Sequence, residues 1–187
     1  TGFIEGPIYR KVKSKRLQPD PLTGKMRLVV EDKIIAEYER VSPLDIYPAP
    51  DSNGIDDGYL IKKTAYNGTQ LSSLIGVPGF SDTAIRAVLQ EYGKGGLKEW
   101  TGIETDRAQA ENKDSSVAWD STKIDCLVFY GDIQGRDLRE WGMTEQEIID
   151  PDIFYPAQAW LIGNHVIKAM LNPDPLGRKN LYKASFD

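Results

Sequence analysis

The chain has 187 residues, 40 % of them hydrophobic and 27 % charged, with a formal net charge of −5; this is the length and composition of one globular domain, or one with a small appendage, and too apolar for a wholly disordered chain. No run approaches the ~18 apolar residues of a membrane helix. A single cysteine, Cys126, excludes an internal disulfide and a cysteine zinc cluster, and a single histidine, His165, excludes a multi-histidine metal site and would have to serve in any Ser-His-Asp or Cys-His-Asp arrangement.

Charge is unevenly placed. Residues 1–30 hold seven Lys/Arg against Glu5 and Asp20, and the remainder holds sixteen against twenty-six acids. An acidic body repels phosphates, so general nucleic-acid binding is not expected. The start at Thr1 carries no signal-peptide pattern, and Leu181–Asp187 reads as an extended segment, so an excised piece of a longer protein is expected, folded as one α+β domain over 1–187.

Ile8–Leu17 is extended and lysine-rich, Pro19–Gly24 is a turn cluster, and Lys25–Val30 alternates with Met26, Leu28 and Val30 on one side. These predict a basic β-hairpin over 1–30. A second extended run covers Ile34–Val41. Three prolines between Pro43 and Pro50 exclude a helix and a central strand. After the loop Asp51–Gly58, a strand is expected over Tyr59–Tyr66. Thr69 is a candidate N-cap for a short helix with Leu71, Leu74 and Ile75, stopped at Gly76. Ser81 or Asp82 opens a better helix, in which Ala84, Ile85, Val88, Leu89 and Tyr92 make one apolar face and Gly93 marks the stop.

Residues 101–121 contain only Ile103, Val117 and Trp119 as large apolar side chains, and a mobile loop is expected there. Ile124–Ile133 reads as a strand, Asp137–Trp141 as a short helix, and Thr144-Glu145-Gln146-Glu147 as a capping box opening another with Ile148 and Ile149. Ala157–Ile162 and Val166–Leu171 flank Gly163-Asn164, a tight hairpin turn. A last strand begins near Lys179. The sum is α+β: antiparallel hairpins with two to four short inserted helices.

Few residue patterns carry chemistry. Asp51–Gly58 resembles a calcium loop but has Ile55 and Asp56 where a ligand and glycine belong, and Lys62 where the closing glutamate belongs; an Asx-rich turn is the simpler reading. Gly93-Lys94-Gly95-Gly96 lacks the Ser/Thr and the preceding strand of a P-loop. His165 follows a turn, where polar residues are routine, and Cys126 reads as a buried inert thiol. The acid pairs Asp56/Asp57, Glu145/Glu147 and Asp150/Asp152 read as caps and loop residues. The sharpest electrostatic feature is the run with Arg10, Lys11, Lys13, Lys15 and Arg16, in which Tyr9, Lys11, Lys13 and Lys15 share one strand face. It fits protection of a sheet edge, contact with an acidic neighbouring subunit, or contact with DNA.

Arg40-Val41-Ser42-Pro43-Leu44-Asp45-Ile46-Tyr47-Pro48-Ala49-Pro50-Asp51 resembles a stretch in the wing region of the portal, or head-to-tail connector, proteins of tailed bacteriophages. The resemblance continues through Thr69–Gly79, the helix Ser81–Tyr92, the strand Cys126–Asp132 with Gly135-Arg136-Asp137-Leu138, Ile162–Ala169 and Asn172–Arg178, and so spans roughly residues 40–187. It implies a structural, non-catalytic wing fragment of a ring, typically dodecameric, at one capsid vertex, through which DNA is packaged and ejected. It also implies no cofactor, no membrane, partners among capsid, terminase and tail-adaptor proteins, and a place in the virion and, during assembly, in the host bacterial cytoplasm. No stem helix, tunnel loop or clip is identifiable. The alternatives from the residues are a small hydrolase using an acid pair and a metal at Asp51–Asp57, and an adaptor binding another protein through its apolar edges.

Overall fold

The computed structural model of the protein describes residues 2–21, 24–93, 109 and 123–184. The chain is α+β, with two antiparallel sheets. It opens with a long hairpin of β1 (Gly2–Pro19) and β2 (Met26–Val41), paired from Phe3↔Val41 to Pro19↔Met26 with one bulge between Glu5 and Ile8. The expected hairpin over 1–30 is therefore corrected to 2–41. The polar run Glu31-Asp32-Lys33 does not break β2, because both faces of the ribbon are wet there and polar side chains cost nothing in pairing. The turn closes through Asp20 N–H to Lys25 O at 2.9 Å and Gly24 N–H to Asp20 O at 2.8 Å.

The second sheet is built from β3 (Ile46–Pro48), β4 (Leu60–Tyr66), β5 (Ile124–Gln134), β6 (Phe154–Ile162) and β7 (His165–Leu171), in that spatial order. The proline-rich segment supplies a single 3₁₀ turn, Pro43–Asp45, capped by Ser42, and then β3 on the sheet edge, where a missing N–H is tolerated. The final strand β8 (Leu181–Ala184) joins the first sheet beside β1, so the spatial order there is β2-β1-β8.

Helices α1 (Gly68–Ser73) and α2 (Asp82–Tyr92) cover one face of the five-stranded sheet. Leu71, Ile85 and Val88 pack with Leu60, Ile124, Cys126, Val128, Trp160, Ile162 and Ile167. Each such aliphatic side chain contributes about 1.5–3 kcal/mol by burial. The cap of α1 is Asn67, two residues before the expected Thr69; Asn67 Oδ1 accepts from Gln70 N–H at 2.8 Å while Gln70 Oε1 accepts from Asn67 N–H, so the capping box lies between these two residues. Ser81 caps α2 as expected.

The opposite face carries α3 (Gly135–Glu140) and a second cluster of Ile133, Leu138, Ile148, Ala157 and Ala159. Only half of the capping box expected at Thr144 forms: Glu147 Oε2 accepts from Thr144 N–H at 2.9 Å, but the Thr144 hydroxyl donates to that same carboxylate at 2.7 Å instead of accepting from Glu147 N–H, and one turn follows with no helix. The correction has a physical cause: Arg139 donates to the carbonyls of Ile148 and Ile149, at 2.6 and 3.1 Å, and Pro151 has no N–H to continue the ladder. Gly163-Asn164 is the two-residue turn between β6 and β7, with Gly163 at φ 56°. The mobile loop expected over 101–121 lies outside the described residues, apart from position 109.

Candidate functional site

The most unusual part of the surface is the hairpin beyond its bulge. Residues Ile8–Pro19 extend about 40 Å at strand rise, and none of the described residues from Pro7 to Arg40 is fully buried. One face of this arm carries Tyr9, Leu17, Met26, Leu28, Val30 and Ile34, each 47–66 % exposed. The register puts Lys11, Lys13 and Lys15 on that same face, as their alternation predicted. A two-stranded ribbon with an exposed apolar face is only marginally stable by itself, and such a patch on a soluble protein marks a contact surface.

The arm is less basic than its first strand suggests. Its second strand brings Glu31, Asp32, Glu37 and Glu39 against it. Arg10 lies 3.6 Å from Glu37 and 3.1 Å from Glu39, Lys11 lies 2.9 Å from Asp32, and Arg16 lies 2.9 Å from Glu31. Of the five candidate contact residues, three are thus occupied within the arm. Lys13 and Lys15, both exposed, have no ion pair among the described residues. These are the two cations the arm presents outward, beside apolar side chains rather than in a phosphate-sized cradle.

The arm is anchored at its base by a charge cluster that the sequence does not announce. Glu5 of β1 is fully buried; it accepts from Lys62 Nζ of β4, itself 3 % exposed, and from Tyr130 Oη of β5. Burial, followed by the negative charge of Glu5, pushes the Tyr130 phenol well above its ordinary range. Lys62 shares the inward face of β4 with Leu60, Thr64 and Tyr66, but nothing local identifies a glutamate 57 positions earlier as its partner. The cluster welds the hairpin to the five-stranded sheet and leaves neither group free to act on a substrate.

Beside this anchor lies a cavity of about 730 Å³, lined among others by Tyr66, Phe80, Tyr130, Trp160 and Lys168. Lys168 Nζ sits 4.8 Å from the Phe80 ring centre and 5.0 Å from that of Trp160. Burial pulls its pKa down to about 8. Cys126 is fully buried and desolvation raises its thiol to about 12, so it is the inert side chain expected.

The remaining candidates are structural. Asp57 Oδ2 accepts from Asn53 N–H at 3.0 Å and Asp56 Oδ1 from Lys179 N–H at 2.9 Å, so these two carboxylates of the 51–58 loop are spent on backbone. Asp150 caps Asp152 N–H at 2.9 Å, and Asp152 pairs with Arg136. His165 Nε2 meets Glu91 Oε2 at 2.9 Å across the α2–β7 contact. Among the described residues no three His, Cys, Asp or Glu side chains are grouped to hold a metal, and no helix is long and apolar enough to cross a membrane.

A second apolar surface lies on the far side of the five-stranded sheet. Where α3 stops covering it, Leu127, Phe129, Trp141, Phe154 and Leu161 line a groove of about 390 Å³ with Asp132 and Asp137 at its rim. Leu127 is 47 % and Phe154 65 % exposed.

No known family model matches this chain, and no curated protein matches it.

Proposed function

We propose that the chain is the wing part of a portal-type ring subunit of a tailed bacteriophage or prophage: a structural rather than catalytic element that sits at one capsid vertex, in contact with copies of itself and with capsid, terminase and tail-adaptor proteins, around the channel through which DNA is packaged and ejected. In this reading it belongs to the virion and, before that, to the host bacterial cytoplasm. The observation that carries it is the projecting arm, whose exposed apolar face and outward lysines suit a subunit that completes its fold surface against neighbours. The segments that resemble portal wings support it in a second way. Ser42–Asp51, Cys126–Asp132 and Ile162–Ala169 all fall in or beside one five-stranded sheet.

The test is immunogold labelling of virions from the phage that encodes the chain, using antibody raised against it. One labelled vertex per capsid is the expected result. Labelling over the whole shell, or none on the particle with signal confined to host lysate, overturns the proposal and leaves an adaptor that uses the same arm.

A further inference from the structure

The arm and the groove are complementary surfaces on the same chain. The outer half of the arm presents Leu17, Met26, Leu28 and Val30 flanked by Lys13 and Lys15; the groove is an apolar floor rimmed by Asp132 and Asp137. Their charges are opposite, and each has exposed apolar area that a monomer gains nothing by leaving wet. The whole-chain balance points the same way. Residues 1–41 hold nine Lys/Arg and six Asp/Glu, and the rest holds fourteen and twenty-two. Among the described residues, three cations beside the groove are engaged: Lys63 with Asp125 at 3.0 Å, Arg136 with Asp152, and Arg139 with the carbonyls of Ile148 and Ile149.

We infer that the arm of one copy docks its lysine-bearing apolar face into the acid-rimmed groove of a second copy of this chain. The two surfaces are different, so the contact is heterologous: it leaves a free arm at one end and a free groove at the other, and it propagates to a ring if the rotation closes or to a filament if it does not. The contact itself rests only on these surfaces; that it closes into a ring rests on the portal reading. The charged part of the contact is two exposed lysines against two carboxylates, so association is sensitive to salt through Lys13 and Lys15.

Sedimentation of the full chain from 5 to 100 µM, in about 50 mM and about 500 mM salt, tests this with two charge-reversed variants, K13E/K15E and D132K/D137K. Far-UV circular dichroism confirms that each is folded, and Leu127→Arg replaces the second variant if it melts without cooperativity. The wild type is expected to grow beyond a dimer with concentration and to lose at least tenfold in affinity at high salt. Each variant alone is expected to stay monomeric. Mixed in equal amounts they are expected to associate again and to grow with concentration, because the reversed arm of one variant meets the reversed groove of the other while the unchanged arm and groove pair as in the wild type. A wild type that stays monomeric, variants that associate as well as the wild type, or variants that dimerise alone overturn the contact. Rings that still form with K13E/K15E overturn it while leaving the portal reading intact; a contact upheld in solution with no vertex labelling on virions does the reverse.

Discussion

The buried anchor at the arm's base makes a sharp prediction. Glu5→Leu keeps a similar volume but leaves the Lys62 ammonium, 3 % exposed, without its counter-charge and removes the acceptor of Tyr130 Oη. An uncompensated buried charge costs about 3–5 kcal/mol, against a total stability of about 5–15 kcal/mol. With a urea slope of about 2 kcal/mol/M, the unfolding midpoint falls by about 2 M. The double replacement Glu5→Leu with Lys62→Met removes both charges and fills the same space, so it recovers most of that loss, to within about 1 kcal/mol of wild type. Urea titration followed by tryptophan fluorescence, run as a double-mutant cycle, reads both numbers. A single variant that loses under about 1 kcal/mol, or a double variant whose loss is the sum of the two singles, refutes the reasoning: the first would mean the pair is hydrated, the second that the two groups do not act on one another.

Gly163→Val meets two obstacles, a φ of 56° and a Cβ that would lie 2.6 Å from Tyr92 Oη, so a loss of over ~1 kcal/mol in thermal or urea unfolding is expected. Lys168→Met tests the depressed amine. In the wild type the folded group titrates near 8 and the unfolded one near 10.5, so between those values the unfolded chain binds more protons and this residue's contribution rises with pH, by about 3 kcal/mol at most. The wild type minus Lys168→Met difference in stability should therefore climb from pH 7.5 to 9.5, whereas a flat difference means the amine is hydrated. Arg16→Ala removes an exposed pair with Glu31 and should shift stability by under ~1 kcal/mol, less still in 0.5 M salt.

What was readable in the sequence follows from how local its cause is. The alternation in Ile124–Ile133, the apolar face of α2 and the Gly163-Asn164 turn all depend on neighbours within a few positions, and each was legible in place and type. The length of β2 was not, because Glu31-Asp32-Lys33 looks like a break unless the strand is known to face water on both sides. Thr144 illustrates the converse: Glu147 does reach back to its N–H, yet whether a helix follows is decided by Arg139 and Pro151 from outside the motif. The basic run was legible as a run but not as a site, since only the folded hairpin brings acids of β2, diagonal to Arg10, Lys11 and Arg16 in the register, within ion-pair distance of them. The anchor pairs positions 5, 62 and 130, and the groove joins β5, β6 and α3; neither leaves a local pattern to read.

That separation between arm and body can be tested by removing the arm's outer half. Replacing residues 13–32 with Asn-Gly joins Val12 to Lys33, which already face one another across the ribbon, through a turn that suits the twist of two strands. The excised stretch contains no fully buried side chain among the described residues, and its ion pairs are exposed; the Glu5 anchor and the β1–β8 pairing stay in place. Little burial is lost, and the ordering entropy of a marginal ribbon is no longer spent. The body should therefore melt within about 4 °C of the wild type, equivalent to about 1 kcal/mol for a chain of this size, while concentration-dependent association disappears. A drop of over ~10 °C would show that the arm's outer half packs on the body in solution; association that survives the deletion would place the contact between copies elsewhere on the body.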